Sequence, residues 1–466
     1  MKNKIKTITP LDGLVILILL ASVVSFSMLV LELSTRLTLL LAITFYSAVS
    51  LVYGHSAKKI ENYIVDGIKK SAFVVVILMV IGCVIGSWVA GGIIPAIIYY
   101  GLEVLTPSLF ILGGFVSCSL VSYFTGSSFA SMGTIGVALM GIGQGFGIPV
   151  ALSAGLILSG SMFGDKMSPF SDTTNLASAS ANVPLFAHIR SMTYTTIPAW
   201  LISAGLYFYF GAKYSDQTID IVKIETIQQS IQDHFTITPV LLFIPLITIV
   251  LAARKVPPIM AMSFGALLGI SVALVFQNNF DVQTILNSLM AGLNYDFGSA
   301  EANKLFANRG GLTSMLFAVT IAMMALVLGE MLTRTGLLVA LLKGLEKIVV
   351  NTGSLVICTI LSCLGITMLS ASQYLSIVMP GAALQPLYKK RGVSRRVLSR
   401  SLEDGGTMFS VLIPWTSDAA FVVATLGVAT LTYLPYAFFL LISPVISIIF
   451  AFVGYAVWPD TDDEEM

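Results

Sequence analysis

From Val104 to Gly164 the chain runs 61 residues without a charge, and then reads Gly164-Asp165-Lys166-Met167-Ser168-Pro169-Phe170-Ser171-Asp172-Thr173-Thr174-Asn175. A charge at the centre of a membrane helix costs about 2.5 to 3.5 kcal/mol on insertion scales, so carboxylates after such a run are expected to pair, face a cavity or bind something. Pro169 lacks an amide and disfavours helix at Ser168, which frees nearby carbonyls. Unwound backbone among hydroxyls and carboxylates supplies hard oxygen ligands suited to a small cation such as Na+. A carboxylate holds one proton or one cation, and that competition is enough for an exchanger. Asp165, Asp172, Ser128 and Thr173 are therefore candidate Na+ ligands, with Thr125, Ser127, Ser168, Ser171, Thr174 and Asn175 as further oxygen donors. A cytoplasmic loop with Asp165 and Lys166 capping a helix end fits the same residues.

The second half places polar groups at a matching point. Glu403-Asp404-Gly405-Gly406-Thr407 precedes Ile413-Pro414-Trp415-Thr416-Ser417-Asp418, after which 41 residues pass without a charge. Asp404 takes the place of Asp165 in order along the chain, and it joins Asp165 and Asp172 as a proton-coupling candidate. Ser372, Gln373, Asp404 and Thr407 are expected to form the wall facing Asp165, and Trp415 and Asp418 complete the candidate set. Glu403 reads as a solvated helix start. His55, His188 and His234 fall in loops or at span ends, where surface placement is expected.

These residues need elements to hold them at membrane depth. Of 466 residues 56% are hydrophobic and 11% charged, against about 25% charged in soluble domains. Apolar runs of roughly 20 residues recur, long enough to cross a hydrocarbon core about 30 Å thick. They do not alternate as barrel strands do, and a helix satisfies its own backbone in lipid. Expected spans are 11–31, 36–54, 71–91, 108–124, 125–142, 148–164 and 190–211, then 237–253, 258–276, 312–330, 352–369, 371–387, 404–426 and 430–457. The net charge of +1 gives no face for nucleic acid. Cys83, Cys118, Cys358 and Cys363 lie in apolar runs with no disulfide or zinc framework.

The two lists of spans run in parallel. In each half the fourth span leads into a similar heptapeptide, Thr125-Gly126-Ser127-Ser128-Phe129-Ala130-Ser131 and Ser370-Ala371-Ser372-Gln373-Tyr374-Leu375-Ser376, which points to a duplicated unit. Seven crossings per unit turn the second copy upside down. With the N-terminus inside, nineteen lysines and arginines fall in cytoplasmic segments and five outside, as the enrichment of cytoplasmic loops in these residues requires. The expected fold is an all-α polytopic membrane protein with two inverted-topology repeats, broken helices and re-entrant hairpins. Residues 1–212 form the first repeat, 213–235 an extracytoplasmic linker, 236–458 the second repeat and 459–466 an acidic cytoplasmic tail. Gly82 and Gly86 form a GxxxG pair consistent with helix packing.

TGSSF at 125–129, GTIGVALMGIG at 133–143 and GDKMSPFSDTTNLA at 164–177, with SLEDGGT at 401–407 and IPW at 413–415, resemble the NhaC family of sodium/proton antiporters, which also includes malate/lactate exchangers. The resemblance spans nearly the whole chain and implies an ion-transporter fold with inverted repeats. One departure is Phe129, where the family pattern has tryptophan, and it bears on substrate preference more than on fold. The expected activity is exchange of Na+ for H+ across a prokaryotic plasma membrane by alternating access, with no cofactor and both termini cytoplasmic. The alternative is Na+- and H+-coupled exchange of a small organic acid, for which Lys166 could supply a positive charge. The expected partners are the lipid bilayer, Na+ and H+, with a small organic acid and a second copy of the chain as further candidates. An intramembrane protease is disfavoured: no histidine lies in a span to serve as base, and Met162 stands where GxGD needs glycine.

Overall fold

The computed structural model describes residues 6–215, 221–254, 256–345 and 349–460. Lys2, Lys4, Lys255, Lys347 and the acidic tail beyond Asp460 lie outside the described residues. Every extended element among the described residues is helical. Among the described residues seven helices are individually long and apolar enough to cross a membrane, or up to nine if two bent pairs each count as one span. The other expected spans are broken, shorter or more polar.

The repeat is visible in local backbone chemistry. Pro107–Thr125 ends at Gly126, φ 68°, and Thr352–Ser370 ends at Ala371, φ 53°, both left-handed. In each unit the next residue caps the following helix. Ser127 accepts from the amide of Ala130 at 3.2 Å, and Ser372 accepts from that of Leu375 at 3.4 Å. The residue before the left-handed one reaches across the turn in both, Thr125 to the Ser127 carbonyl at 3.4 Å and Ser370 to the Ser372 carbonyl at 3.5 Å. The two heptapeptides thus fold alike because small, hydroxyl-bearing residues can cap a helix they have just interrupted.

Several expected connectors are helical. The polar stretch at 55–70 is the first half of a 34-residue helix, Ala57–Ala90. At 1.5 Å per residue it is about 51 Å long, so its lysine-bearing start projects beyond a core about 30 Å thick. Ile93–Val104 and Leu337–Leu345 occupy equivalent connectors of the two units. Val282–Ala291 and Ala300–Phe306 lie within 277–311. The linker contains Ile221–His234, whose Ser230 donates to the Phe297 carbonyl at 2.7 Å.

Ala57–Ala90 packs most extensively on Leu312–Arg334, its counterpart in the second unit. Gly82 permits close approach there, since a Cβ on it would lie 2.5 Å from the carbonyl oxygen of Gly311 at the start of Leu312–Arg334, and Gly86 does the same for Val282–Ala291, where its Cβ would lie 2.1 Å from the Ser288 carbonyl oxygen. At the polar end of this seam Glu330, 1% exposed, sits between Lys70 at 2.5 Å and Arg334 at 2.7 Å. All four cysteines are free thiols, three of them buried.

Pro107–Thr125 and Val150–Met167 form a second close pair. A Cβ on Gly164 would stand 2.2 Å from the Tyr123 amide nitrogen and 2.4 Å from Ser122 Cβ. Backbone cannot yield as a side chain can, so Gly164→Ala is expected to lower stability by about 3 kcal/mol, the upper end of overpacking costs. The check is a melting curve of the purified protein, and a curve superimposable on the parent's would refute the packing argument.

Candidate ion-binding site

Val150–Met167 stops at Ser168, which is extended (φ −74°, ψ 131°) immediately before Pro169, as the proline requires. Ser171 then caps Asp172–Ser180, accepting from the Thr173 amide at 3.3 Å. The carbonyls released at the break are collected by side chains. Thr174 donates to the carbonyls of Asp165 at 3.1 Å and Lys166 at 2.9 Å. Asn175 donates to those of Pro169 at 3.0 Å and Ser171 at 2.7 Å. Ser168 accepts from the Phe170 amide at 3.2 Å. Ser168, Thr174 and Asn175 are thus occupied in holding the break itself.

Asp165 lies in the last turn before the break and is 8% exposed. Ser128 donates to one carboxylate oxygen at 2.6 Å and Ser171 to the other at 2.6 Å. Ser171 is a further 3.0 Å from the Thr173 hydroxyl. The two breaks of the first unit meet here, since a Cβ on Gly126 would be 2.6 Å from the Phe170 carbonyl carbon. The breaks of the second unit also meet: Ser417 donates from its amide and its hydroxyl to the Ala371 carbonyl, both at 3.3 Å.

A cavity of about 340 Å³ opens onto this junction. Of the residues singled out from the sequence, Thr125, Ser127, Ser128, Asp165, Asp172, Thr173, Asn175 and Gln373 line it. Asp172 stands exposed on its wall. Asp165 and Asp172 are the charged groups of this lining. Ser168, Ser171, Thr174, Ser372, Asp404, Thr407, Trp415 and Asp418 are not part of it. Sequence reading missed the far wall, which Thr248, Val256, Pro257 and Pro258 supply from the opening helices of the second half. No local signal marks them, because only packing brings that corner to Asp165. Tyr374 also lines the cavity, and it follows directly on Gln373.

Four expectations need correction. Asp404 does not face Asp165: it is fully buried in an ion pair with the equally buried Lys166, and Ser443 binds both, at 2.7 Å each. Counted from the helix caps, Asp165 lies six residues before Ser171 and Asp404 twelve before Thr416, so the two are not equivalent. Glu403 is not solvated. It and Thr407 are buried at either end of the π-helical turn Glu403–Thr407, where the Thr407 hydroxyl donates to the Glu403 carboxylate. Trp415 donates to the Met368 carbonyl at 2.8 Å and lines a separate apolar cavity with Leu17, Leu39 and Leu369. The histidines are not at the surface. His188 is fully buried beside Ser399 at 2.9 Å, His55 is 5% exposed and His234 is partly buried.

Asp418, in the first turn of Ser417–Leu426, is 6% exposed with one oxygen near the Ser417 hydroxyl at 3.1 Å and the other without a partner.

A carboxylate held at the meeting of interrupted membrane helices and reached from a cavity on one side defines a secondary transporter. A sequence model described as the Na+/H+ antiporter family matches residues 5–174 and 160–455, and the chain belongs to that family. It is 39% identical over 423 residues to the Na(+)/H(+) antiporter NhaC of Bacillus subtilis (strain 168), covering 91% of this chain and 93% of that one. It is 38% identical over 398 residues to the NhaC of Alkalihalophilus pseudofirmus, covering 85% and 86%. It is also 36% identical over 441 residues to a malate-2H(+)/Na(+)-lactate antiporter of Bacillus subtilis, covering 95% and 94%.

Proposed function

We propose that this chain exchanges Na+ for H+ across the membrane by alternating access, with Asp165 carrying the proton and the cation in turn and Asp172 drawing cations into the cavity. The observation that carries this reading is the setting of Asp165: a buried carboxylate held by two hydroxyls, Ser128 and Ser171, at the junction of two helix breaks. Those hydroxyls can turn their lone pairs to a cation as it displaces the proton, so the site serves both cargoes without a large rearrangement.

The domain reading stands as part of the proposal: units at 1–212 and 236–458, oppositely oriented, with the N-terminus cytoplasmic. The lysine and arginine distribution supports it. On that topology the Val256–Pro258 corner, next to Arg254, is cytoplasmic, and the cavity opens inward.

Organic acid exchange is the weaker reading. Its cargo is an anion, and the cavity presents two carboxylates, while Lys166, the cation next to Asp165 in sequence, is bound to Asp404. In everted vesicles with a pH-sensitive dye, Na+ alone is expected to collapse an imposed pH gradient, and malate or lactate to change the rate by less than about twofold. A gradient that collapses only when an organic acid accompanies Na+ would replace this reading with its alternative.

A further inference from the structure

A second cavity, of about 170 Å³, lies at the other end of the helices that frame the first. Ser128 borders the first cavity and Gln144 the second, a separation of about 24 Å along a helix at 1.5 Å per residue. Ser417–Leu426 likewise begins beside Ala371 and ends at this second cavity. Its volume exceeds the roughly 10 to 15 Å³ that a single water needs, so it has room for a small hydrated ion.

The charged group of this lining is Arg309, half-buried, with no carboxylate in salt-bridge range among the described residues. Its backbone is fixed. The loop is pinned by Asn308 donating to the Leu293 carbonyl at 2.8 Å and Gly311 to that of Gly82 at 2.6 Å. Arg309 Nε donates to the Lys304 carbonyl at 3.2 Å. A terminal guanidinium nitrogen stands 3.2 Å from where a Cβ on Gly427 would be, at the carboxyl end of Ser417–Leu426. A helix carboxyl terminus carries roughly half a negative charge, so about half of the arginine's charge is left unbalanced. On the same wall Thr425, 5% exposed, has a hydroxyl without a hydrogen-bond partner. A half-buried cation without a counter-ion and a buried hydroxyl without a partner, facing one small cavity, both call for the same thing.

We propose that this cavity binds a small monoanion, a halide or a short carboxylate, with Arg309 as the counter-charge and the Thr425 hydroxyl as a second donor. Guanidinium offers a planar pair of donors that suits a carboxylate, and the hydroxyl rotates to suit either ion. The site is separate from the exchange cavity. An anion held there would offset the charge of an arginine that otherwise repels cations at that end of the helices.

The test is titration calorimetry on the full chain in nanodiscs, with potassium chloride and potassium lactate added separately against a background of a bulky sulfonate buffer. Saturable binding of either salt is expected, and which of the two binds identifies the source. Arg309→Gln should weaken it at least tenfold, Arg309→Lys should restore part of it, and Thr425→Val should weaken it at least threefold. Asp165→Asn should bind the anion as the parent does, so failure of the exchange reading leaves this result standing. No saturable binding of either anion by folded parent protein, or equal binding by Arg309→Gln, overturns the proposal. Should Arg309→Gln not fold, equal binding by the isosteric Thr425→Val does so.

Discussion

Asp165→Asn is expected to reduce Na+-dependent proton movement in everted vesicles by about 100-fold or more, to the level of vesicles lacking the protein. Asparagine nearly matches the carboxylate in shape and can still meet the hydroxyls of Ser128 and Ser171 at 2.6 Å, so the helix break should survive. What it removes is the charge. A charge-assisted contact is worth about 1.5 to 3 kcal/mol, and an amide at this position neither carries a proton nor balances a cation. Binding and coupling therefore fail together. In the parent protein, proton and Na+ compete for the same oxygens. The apparent KM for Na+ should then rise as pH falls, by about tenfold per unit once the proton is the majority occupant. Asp172→Asn, on the exposed wall, should raise KM with kcat largely kept. A pH-independent KM in the parent protein, or brisk exchange by Asp165→Asn in a protein of normal yield, would remove Asp165 from the mechanism.

The second large effect lies at Asp404. Lys166 and Asp404 are both 0% exposed and bonded to each other and to Ser443. Thr195 adds a contact to the other Asp404 oxygen at 3.4 Å. Removing one partner of such a pair leaves an uncompensated buried charge and costs about 3 to 5 kcal/mol. Asp404→Asn should consequently lose most of its folded yield. Replacing both, as Lys166→Met with Asp404→Leu, removes both charges, and it is expected to recover most of the lost stability because apolar replacements of buried pairs are often neutral or better. Melting temperatures of the parent, Lys166→Met, Asp404→Leu and the double variant, which form a closed cycle, give the coupling directly. If Asp404→Asn melts with the parent, the pair is not the structural tie proposed here.

The tie has a mechanistic meaning within the proposed exchange. Asp165 and Lys166 are sequence neighbours, so their side chains leave the helix about 100° apart. One reaches the cavity and the other crosses to the second unit. Any change at Asp165 is thereby next to a buried bond between the two units.

Much of this was legible in the sequence because it is local chemistry. The interruption at Pro169 and the likeness of the two heptapeptides each depend on a few neighbouring residues, whereas the caps at Ser171, Ser127 and Ser372, read from the sequence as oxygen donors for the site, came from the structure. Length and apolarity likewise marked a chain that spans a membrane in helices. Apart from connectors that are helical, such as 55–70, the expectations that failed were those needing a partner far along the chain. Asp404 was aligned with Asp165 by order, but a π-helical turn and a longer lead into the break set it elsewhere. Glu403 and His188 look like polar ends until other helices are packed over them.

The sequence by itself determined the helices, their breaks and the family, since capping, backbone restriction and transfer from water act within a few residues or on composition. Only the tertiary structure decided that Asp165 opens to a cavity while Lys166 is sealed against Asp404, and that Arg309 has no carboxylate in salt-bridge range among the described residues. Those outcomes depend on which surfaces meet across hundreds of residues, and burial makes the meeting decisive for a charge.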